Sequence, residues 1–130
     1  MEVTNIDLRP LTLGQYTSAV AELTFGGAGT KPKGTILARS TATGKMIPYA
    51  IGGVTDGNGV PSAVLLHDVT ATGAGDVPCD VLTTGQVALE RLIVEADGDA
   101  SNITGAVSDL LRDFAIVTKT VTDQSVLDNQ

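Results

Sequence analysis

The side chains that could support catalysis in this chain are few, and their spacing does not group them. His67 is the single histidine, and Asp68 follows it directly. Neighbouring residues of a strand point to opposite faces, so these two side chains are poorly placed to act as a base and its orienting carboxylate. The Gly-x-Ser-x-Gly pattern that exposes a nucleophilic serine is absent from the sequence. We therefore interpret His67 as a strand-end residue near the surface.

Two turn-forming stretches resemble ligand-binding loops only in part. Asp56-Gly-Asn-Gly59 begins like a calcium loop, but Val60 and Pro61 stand where that loop needs an oxygen ligand and a glycine. Gly44-Lys45 is followed by Met46 rather than by the hydroxyl residue of a phosphate-binding loop. We interpret both stretches as turns, and we assign no catalytic residue, no cofactor and no metal.

The single cysteine, Cys79, excludes an internal disulfide. It alternates with Val77 and Val81, which predicts a small residue buried on one face of a strand. A lone buried thiol suits a reducing compartment, or a particle assembled in one.

Composition limits the class of protein. The 130 residues suit one domain, and the net charge of -7 disfavours nucleic acid as a partner. No apolar run approaches the ~20 residues that span a membrane, and the N-terminus lacks the features of a signal peptide. Aromatic residues are only 3% of the chain. A core of Val, Leu, Ile and Ala gains stability when a partner or a second copy covers further apolar surface.

The hydrophobic pattern after Gly34 predicts a mainly β domain with a small α part, built as a short-stranded β-sandwich or barrel-like unit. Gly44 and Gly57 mark turns, and Gly85 is predicted to end a strand. The run Ala63-Val-Leu-Leu66 is apolar at every position, which indicates a central strand covered on both faces. The predicted strands are Thr35–Arg39, Met46–Ile51, Pro61–Thr70, Val77–Thr83 and Ala115–Val121.

One C-terminal helix is predicted from a change of period. Its apolar stripe combines positions i, i+4, i+7, i+8 and i+11, with Asp99, Ser101 or Asn102 as candidate caps. Leu89–Val94 fits a short helix and a strand equally well. The stripe comprises Ile103, Val107, Leu110, Leu111 and Phe114.

The chain divides into three parts by composition. Residues 1–33 are predicted to form an extended N-terminal arm that ends in a Gly-rich linker, Gly26 to Lys33. Residues 34–121 form the β-rich domain, and residues 122–130 form a polar tail. Within the arm, Tyr16–Phe25 alternates as a strand does, with either Ala19, Ala21 and Leu23 or Val20 and Thr24 on one face.

The order and spacing of strands and turns from residue 34 to residue 121 resemble those of the lambda-type bacteriophage head decoration proteins. No single motif is diagnostic, and the resemblance rests on the series as a whole. The matching elements are Gly34-Thr-Ile-Leu-Ala-Arg39, Thr43-Gly44-Lys45, Tyr49, Asp56-Gly57, Ala63-Val-Leu-Leu66, Asp68-Val69, Val77-Pro-Cys-Asp-Val-Leu82, Gly85-Gln86-Val87 and Leu110-Leu-Arg-Asp-Phe-Ala-Ile116.

This resemblance implies a capsid cement protein rather than an enzyme. It implies homotrimers on the outer surface of an icosahedral head, at three-fold and quasi-three-fold positions, made in the host cytoplasm. It also implies that the N-terminal arm adds a strand to the major capsid protein, with no nucleic-acid or membrane partner. On this basis the expected capsid contacts are Tyr16, Val20, Leu23 and Phe25.

Two other readings remain open from the sequence. A tail or spike β-module would share the strand-rich composition but would assemble along an axis. A small binding domain or minor enzyme would use a pocket near His67. The Gly-rich arm favours a virion component over this third reading.

Overall fold

The computed structural model describes residues 11–94 and 105–120. Within these residues the chain forms eight strands, a 3₁₀ turn and one α-helix. The strands are β1 Thr12–Phe25, β2 Gly29–Lys31, β3 Ile36–Arg39, β4 Met46–Pro48, β5 Pro61–Leu65, β6 Val69–Ala71, β7 Gly75–Ala88 and β8 Ile116–Lys119, the 3₁₀ turn is Leu89–Arg91, and the helix α1 is Gly105–Arg112.

Five of the strands close into a barrel. The sheet has the order β1-β4-β3-β5-β7, and β7 pairs back onto β1. Closure covers most strand edges, which is how a small β domain satisfies its backbone groups. β8 extends the sheet by pairing in parallel with β7, and β2 and β6 form a separate two-stranded sheet. The predicted barrel-like, mainly β fold with one C-terminal helix is confirmed.

The apolar side chains form two core clusters on opposite faces of the central strands. In β5, Val64 lies in the cluster beneath α1, whereas Ala63 and Leu65 lie in the other. The prediction that this run is covered on both faces is confirmed. Cys79 is 3% exposed in the second cluster, as its alternation predicted. Burial raises the pKa of its thiol, with a smaller contribution from the charge of Asp80.

The predicted helix stripe is wrong at two positions. Val107 and Leu111 are buried, but Leu110 is 39% and Phe114 40% exposed. α1 ends at Arg112, so Phe114 lies in the turn that follows and no longer obeys the helical period. Ala115 then takes a left-handed φ of 60°, which turns the chain into β8. Ile103 and the three candidate caps lie outside the described residues.

Gly85 does not end its strand, contrary to prediction. β7 continues through it to Ala88, and Gly85 pairs with Tyr16 on one side and with Ile116 on the other. A Cβ at position 85 would lie 2.7 Å from the Cβ of Tyr16. The glycine therefore allows β1 and β7 to approach closely and does not terminate β7.

Other boundaries shift for local reasons. β4 ends at Pro48, and Pro61–Thr70 divides into β5 and β6 around a turn at Leu66–Asp68. The ambiguous stretch Leu89–Val94 combines both readings, because a 3₁₀ turn is followed by a parallel bridge between Ile93 and Thr35.

The barrel begins upstream of the predicted boundary at Gly34. Tyr16–Phe25 lies within β1, a wall of the barrel. The glycine-rich connection is also tied down, since β2 pairs with β6 and the Lys33 amide donates to Asp68 Oδ1 at 2.7 Å. A free arm followed by a flexible linker is thus not what residues 11–33 form here. Residues 1–10 and the whole of the predicted tail, residues 122–130, lie outside the described residues.

Candidate functional site

Within residues 11–94 and 105–120, one edge of β1 has no partner strand along most of its length. The strand pairs with β7 from Thr12↔Val87 to Phe25↔Gly75. Among the described residues, its other edge pairs only where Leu23 meets Met46 of β4. Each edge of a strand carries backbone N–H and C=O groups, and unpaired ones form a template for a further strand. We call residues 12–22 on this side the open edge.

The two halves of β1 differ sharply in exposure. Residues 14–20 are all exposed, with Tyr16 at 47% and Val20 at 76%. Leu23 and Phe25 are 0% and 4% exposed, and both pack in the second core cluster. Of the four predicted capsid contacts, the structure therefore brings two to the surface and places the other two in the core.

The exposed half of β1 is irregular in its pairing with β7. The register shifts between Leu13 and Tyr16 and again between Thr17 and Ser18. Gly14 takes a φ of +79°, which glycine adopts without strain. Bulges near an edge twist it and discourage indiscriminate pairing with other strands. A partner strand must therefore match a defined, non-flat edge.

An ionic cluster marks the point where the open edge ends. Lys45 Nζ contacts Asp76 Oδ2 and lies 3.4 Å from Glu22 Oε2, while Thr24 Oγ1 donates to Asp76 Oδ1 at 2.7 Å. The hydrogen bond from Lys45, followed by that from Thr24, lowers the pKa of Asp76. The same partnership with Asp76 and then Glu22 raises the pKa of Lys45. The cluster links β1, β7 and the residue preceding β4, so a further strand on the open edge meets this boundary.

The turn between β3 and β4 is held by a carboxylate from a distant loop. Asp56 accepts hydrogen bonds from Ser40 Oγ at 2.6 Å and from Thr41 Oγ1 and the Ala42 amide at 2.9 Å. These bonds, with that from Ser40 the largest cause, lower the pKa of the Asp56 carboxyl. Its oxygens are thus engaged by the chain itself, and the stretch forms a turn. Sequence reasoning missed this role, because partners 14 to 16 residues apart leave no spacing signal.

Neighbouring Gly57 lets the two loops approach each other. It has a φ of +79°, and a Cβ there would lie 2.9 Å from the Arg39 carbonyl oxygen and 2.9 Å from Thr41 Cγ2. Substitution would strain both the backbone and the contact. The turn beside the open edge is therefore pre-organised.

His67 has a structural position at the surface. Its Nε2 accepts the Asp80 amide at 3.1 Å, so Nδ1 carries the proton and donates to the Asp68 carbonyl at 3.0 Å. The Asp68 carboxylate does not orient the ring but accepts from the Lys33 amide instead. Both imidazole nitrogens thus contact backbone groups, and the Asp80 carboxylate oxygen Oδ2 lies 3.6 Å from Nε2.

Neither a metal centre nor a membrane span emerges from the described ranges. No three side chains of the metal-binding kinds come together in residues 11–94 and 105–120. No helix there is long and apolar enough to cross a bilayer.

The sequence matches a known family over the same region that builds the barrel. Residues 11–113 match the family described as Bacteriophage lambda head decoration protein D. The chain belongs to this family. The match includes β1 and α1 and begins well before Gly34. A search of curated proteins finds no match. The family is one of structural phage head proteins, which supports a capsid decoration role and a place on the virion.

Proposed function

We propose that this chain is a cement protein that binds the outer surface of a phage head and stabilises the shell. It acts as a homotrimer at three-fold and quasi-three-fold positions after synthesis in the host cytoplasm. Its N-terminal segment pairs with a strand of the major capsid protein. Family membership supports the decoration role. The open edge of β1 is the single structural observation that carries the binding mode.

The binding chemistry is backbone pairing rather than bond breaking. A strand added to the open edge satisfies donors and acceptors on both partners, and alternate side chains provide specificity. Tyr16 and Val20 are exposed along this edge and contact the partner. Leu23 and Phe25 act differently from their predicted role, because they anchor β1 in the core and so hold the edge in place.

Trimerisation strengthens binding that rests on one weak strand pairing per subunit. One short strand pairing contributes modestly, since each intermolecular hydrogen bond replaces bonds to water. Three equivalent edges on one trimer raise the effective concentration of the second and third contacts once the first has formed. Placement around a three-fold axis of the shell lets each edge meet an equivalent capsid subunit.

The observations favour the head over the other two readings. The family match is to a head protein, which disfavours a tail or spike module. The backbone hydrogen bonds of both His67 nitrogens disfavour a binding or catalytic pocket there.

A single charge placed on the open edge tests the proposal. Val20→Asp should still fold, because Val20 is 76% exposed, with a modest loss of stability since the new carboxylate lies opposite Asp80 of β7. It should weaken binding to expanded shells of the encoding phage by about tenfold or more, since a charge at an apolar contact is desolvated. The measurement is co-sedimentation of purified protein with shells.

Val54→Asp is the matched control, because Val54 is 95% exposed in the loop between β4 and β5. We expect its affinity for shells to equal that of the wild type. An equal loss of shell affinity in both variants would show that the contact is not specific to the open edge. Wild-type shell affinity in Val20→Asp would refute the binding mode.

A further inference from the structure

Two surface grooves meet at one arginine. The first runs between Ala19–Glu22 of β1 and the turn that precedes β4, including Lys45. The second passes Ser40 and Thr41 toward the exposed apolar side chains of the following loop and the C-terminal turn. Both grooves include Arg39 and Gly44 in their lining. We call the combined surface the Arg39 channel.

Among the described residues, the charges along the channel leave one cation, Arg39, without an ion pair. Lys45 is engaged by Asp76 and Glu22. Arg39 donates from Nη1 to the Gly44 carbonyl at 2.7 Å, a neutral acceptor, and within the described chain no carboxylate faces it in an ion pair. A guanidinium has five N–H donors, so donors remain for a ligand. The whole chain carries a net charge of -7, so an anionic ligand must be attracted by this local cation against the overall charge.

Apolar side chains flank the arginine on both sides. Val20 borders the first groove and is 76% exposed. Val60 and Phe114 border the second and are 47% and 40% exposed. A ligand that covers them must itself present apolar groups on either side of an anionic one.

The floor of the channel is rigid before any ligand binds. Asp56 fixes the Ser40–Ala42 turn through three hydrogen bonds, and Gly57 allows the loops to touch. Pre-organisation lowers the entropic cost of binding. The first groove also lies directly beside the open edge, so a strand paired there continues into the channel.

We propose that the Arg39 channel binds an extended segment of the capsid subunit, in which a carboxylate flanked by apolar residues pairs with Arg39. This inference rests on the proposed function and adds the chemistry of the bound segment. The segment continues from the strand that pairs with the open edge. Arg39 determines specificity, since a bidentate pair with a carboxylate fixes the register of the segment as well as its charge.

The test uses the full chain and expanded shells of the encoding phage. Arg39→Gln should bind about tenfold more weakly at low salt, and its affinity should depend less on salt than that of the wild type. Arg39→Lys should retain part of the affinity and the salt dependence, because it keeps the charge but not the forked geometry. Unfolding curves show that each variant is folded.

Arg112→Gln is the control, because Arg112 is exposed, pairs with Asp109 and lines neither groove. We expect its affinity to change by less than about twofold. Wild-type affinity and salt dependence in Arg39→Gln would overturn the inference while leaving the proposed function intact. Failure of the wild type to bind shells would overturn the proposed function and this inference together.

Discussion

The two halves of β1 have the same secondary structure and the same partner strand, yet they face different surroundings. Leu23 and Phe25 are buried against the barrel core, and β4 covers the edge beside Leu23. Residues 14–20 are exposed and pair with β7 through two register shifts, and no other strand of the described chain pairs with their second edge. A single strand is thus anchored at one end and available at the other.

This difference shows how a small barrel can offer a strand edge without losing stability. An edge that is free along its whole length would frustrate closure and invite aggregation. Here the buried half fixes the position of the exposed half, and the ionic cluster around Lys45 defines where the open edge stops. Under the proposed binding mode, an edge held in place by the barrel avoids the ordering cost that a free arm would incur.

Truncation of Leu23 tests most directly whether the two halves of β1 differ in their contribution to stability. Leu23→Ala removes a side chain with no exposed surface, so we expect the free energy of unfolding to fall by about 2–5 kcal/mol. Val20→Ala, three residues earlier on the same strand, should change it by less than about 0.5 kcal/mol. Urea unfolding of both variants measures the difference. Equal effects would show that the two halves of β1 are not distinct.

The helix offers the same comparison within one turn. Leu111 is fully buried and Leu110 is 39% exposed. Leu111→Ala should destabilise the fold by about 2–4 kcal/mol, whereas Leu110→Ala should cost less than about 1 kcal/mol. The same unfolding assay applies, and a larger loss at Leu110 would contradict the placement of α1.

Acid should loosen the turn beside the open edge. The pKa of Asp56 is lowered by its bonds from Ser40, Ala42 and Thr41, so it lies below the unfolded value of about 3.9. Asp56 therefore stabilises the fold above that pH, and the contribution is lost as the pH falls through the folded pKa. The free energy of unfolding should fall between about pH 5 and pH 2, and Asp56→Asn should flatten the dependence.

Ser40→Ala checks the cause of that effect. It removes the donor that lowers the pKa of Asp56 most, so its pH dependence should lie between those of the wild type and Asp56→Asn. A slope identical to that of the wild type would assign the acid sensitivity to other carboxylates, such as Asp76.

Much of the barrel could be predicted because its signals are local. Neighbouring residues alone indicate the burial or the turn at three places: the apolar run Ala63–Leu66, the alternation around Cys79 and the turn at Gly44. Gly85 misled the prediction because the sequence does not distinguish a glycine that ends a strand from one that allows a paired residue, here Tyr16, to approach closely. Phe114 misled it because the helix stops at Arg112, and no residue there marks the stop. Leu110 lies within the helix but at the margin of the stripe, beside the buried pair Val107 and Leu111.

The candidate site was predicted less completely because it depends on distant pairings. Alternation identified Tyr16–Phe25 as a strand, but its partner residues in β7 lie 50 to 69 positions later, from Phe25↔Gly75 to Tyr16↔Gly85. The glycines of residues 26–29 suggested a boundary, and only the pairing of β2 with β6 shows that the chain continues as one unit. The engagement of Asp56 by Ser40 had no sequence signal at all.

Electron cryomicroscopy of expanded shells decorated with this chain tests the binding mode most directly. We expect a capsid-protein strand within hydrogen-bonding distance of residues 12–22, with β1 still paired to β7 and three copies around each three-fold position. Density in which the open edge faces solvent, while another surface of the barrel contacts the shell, would contradict it.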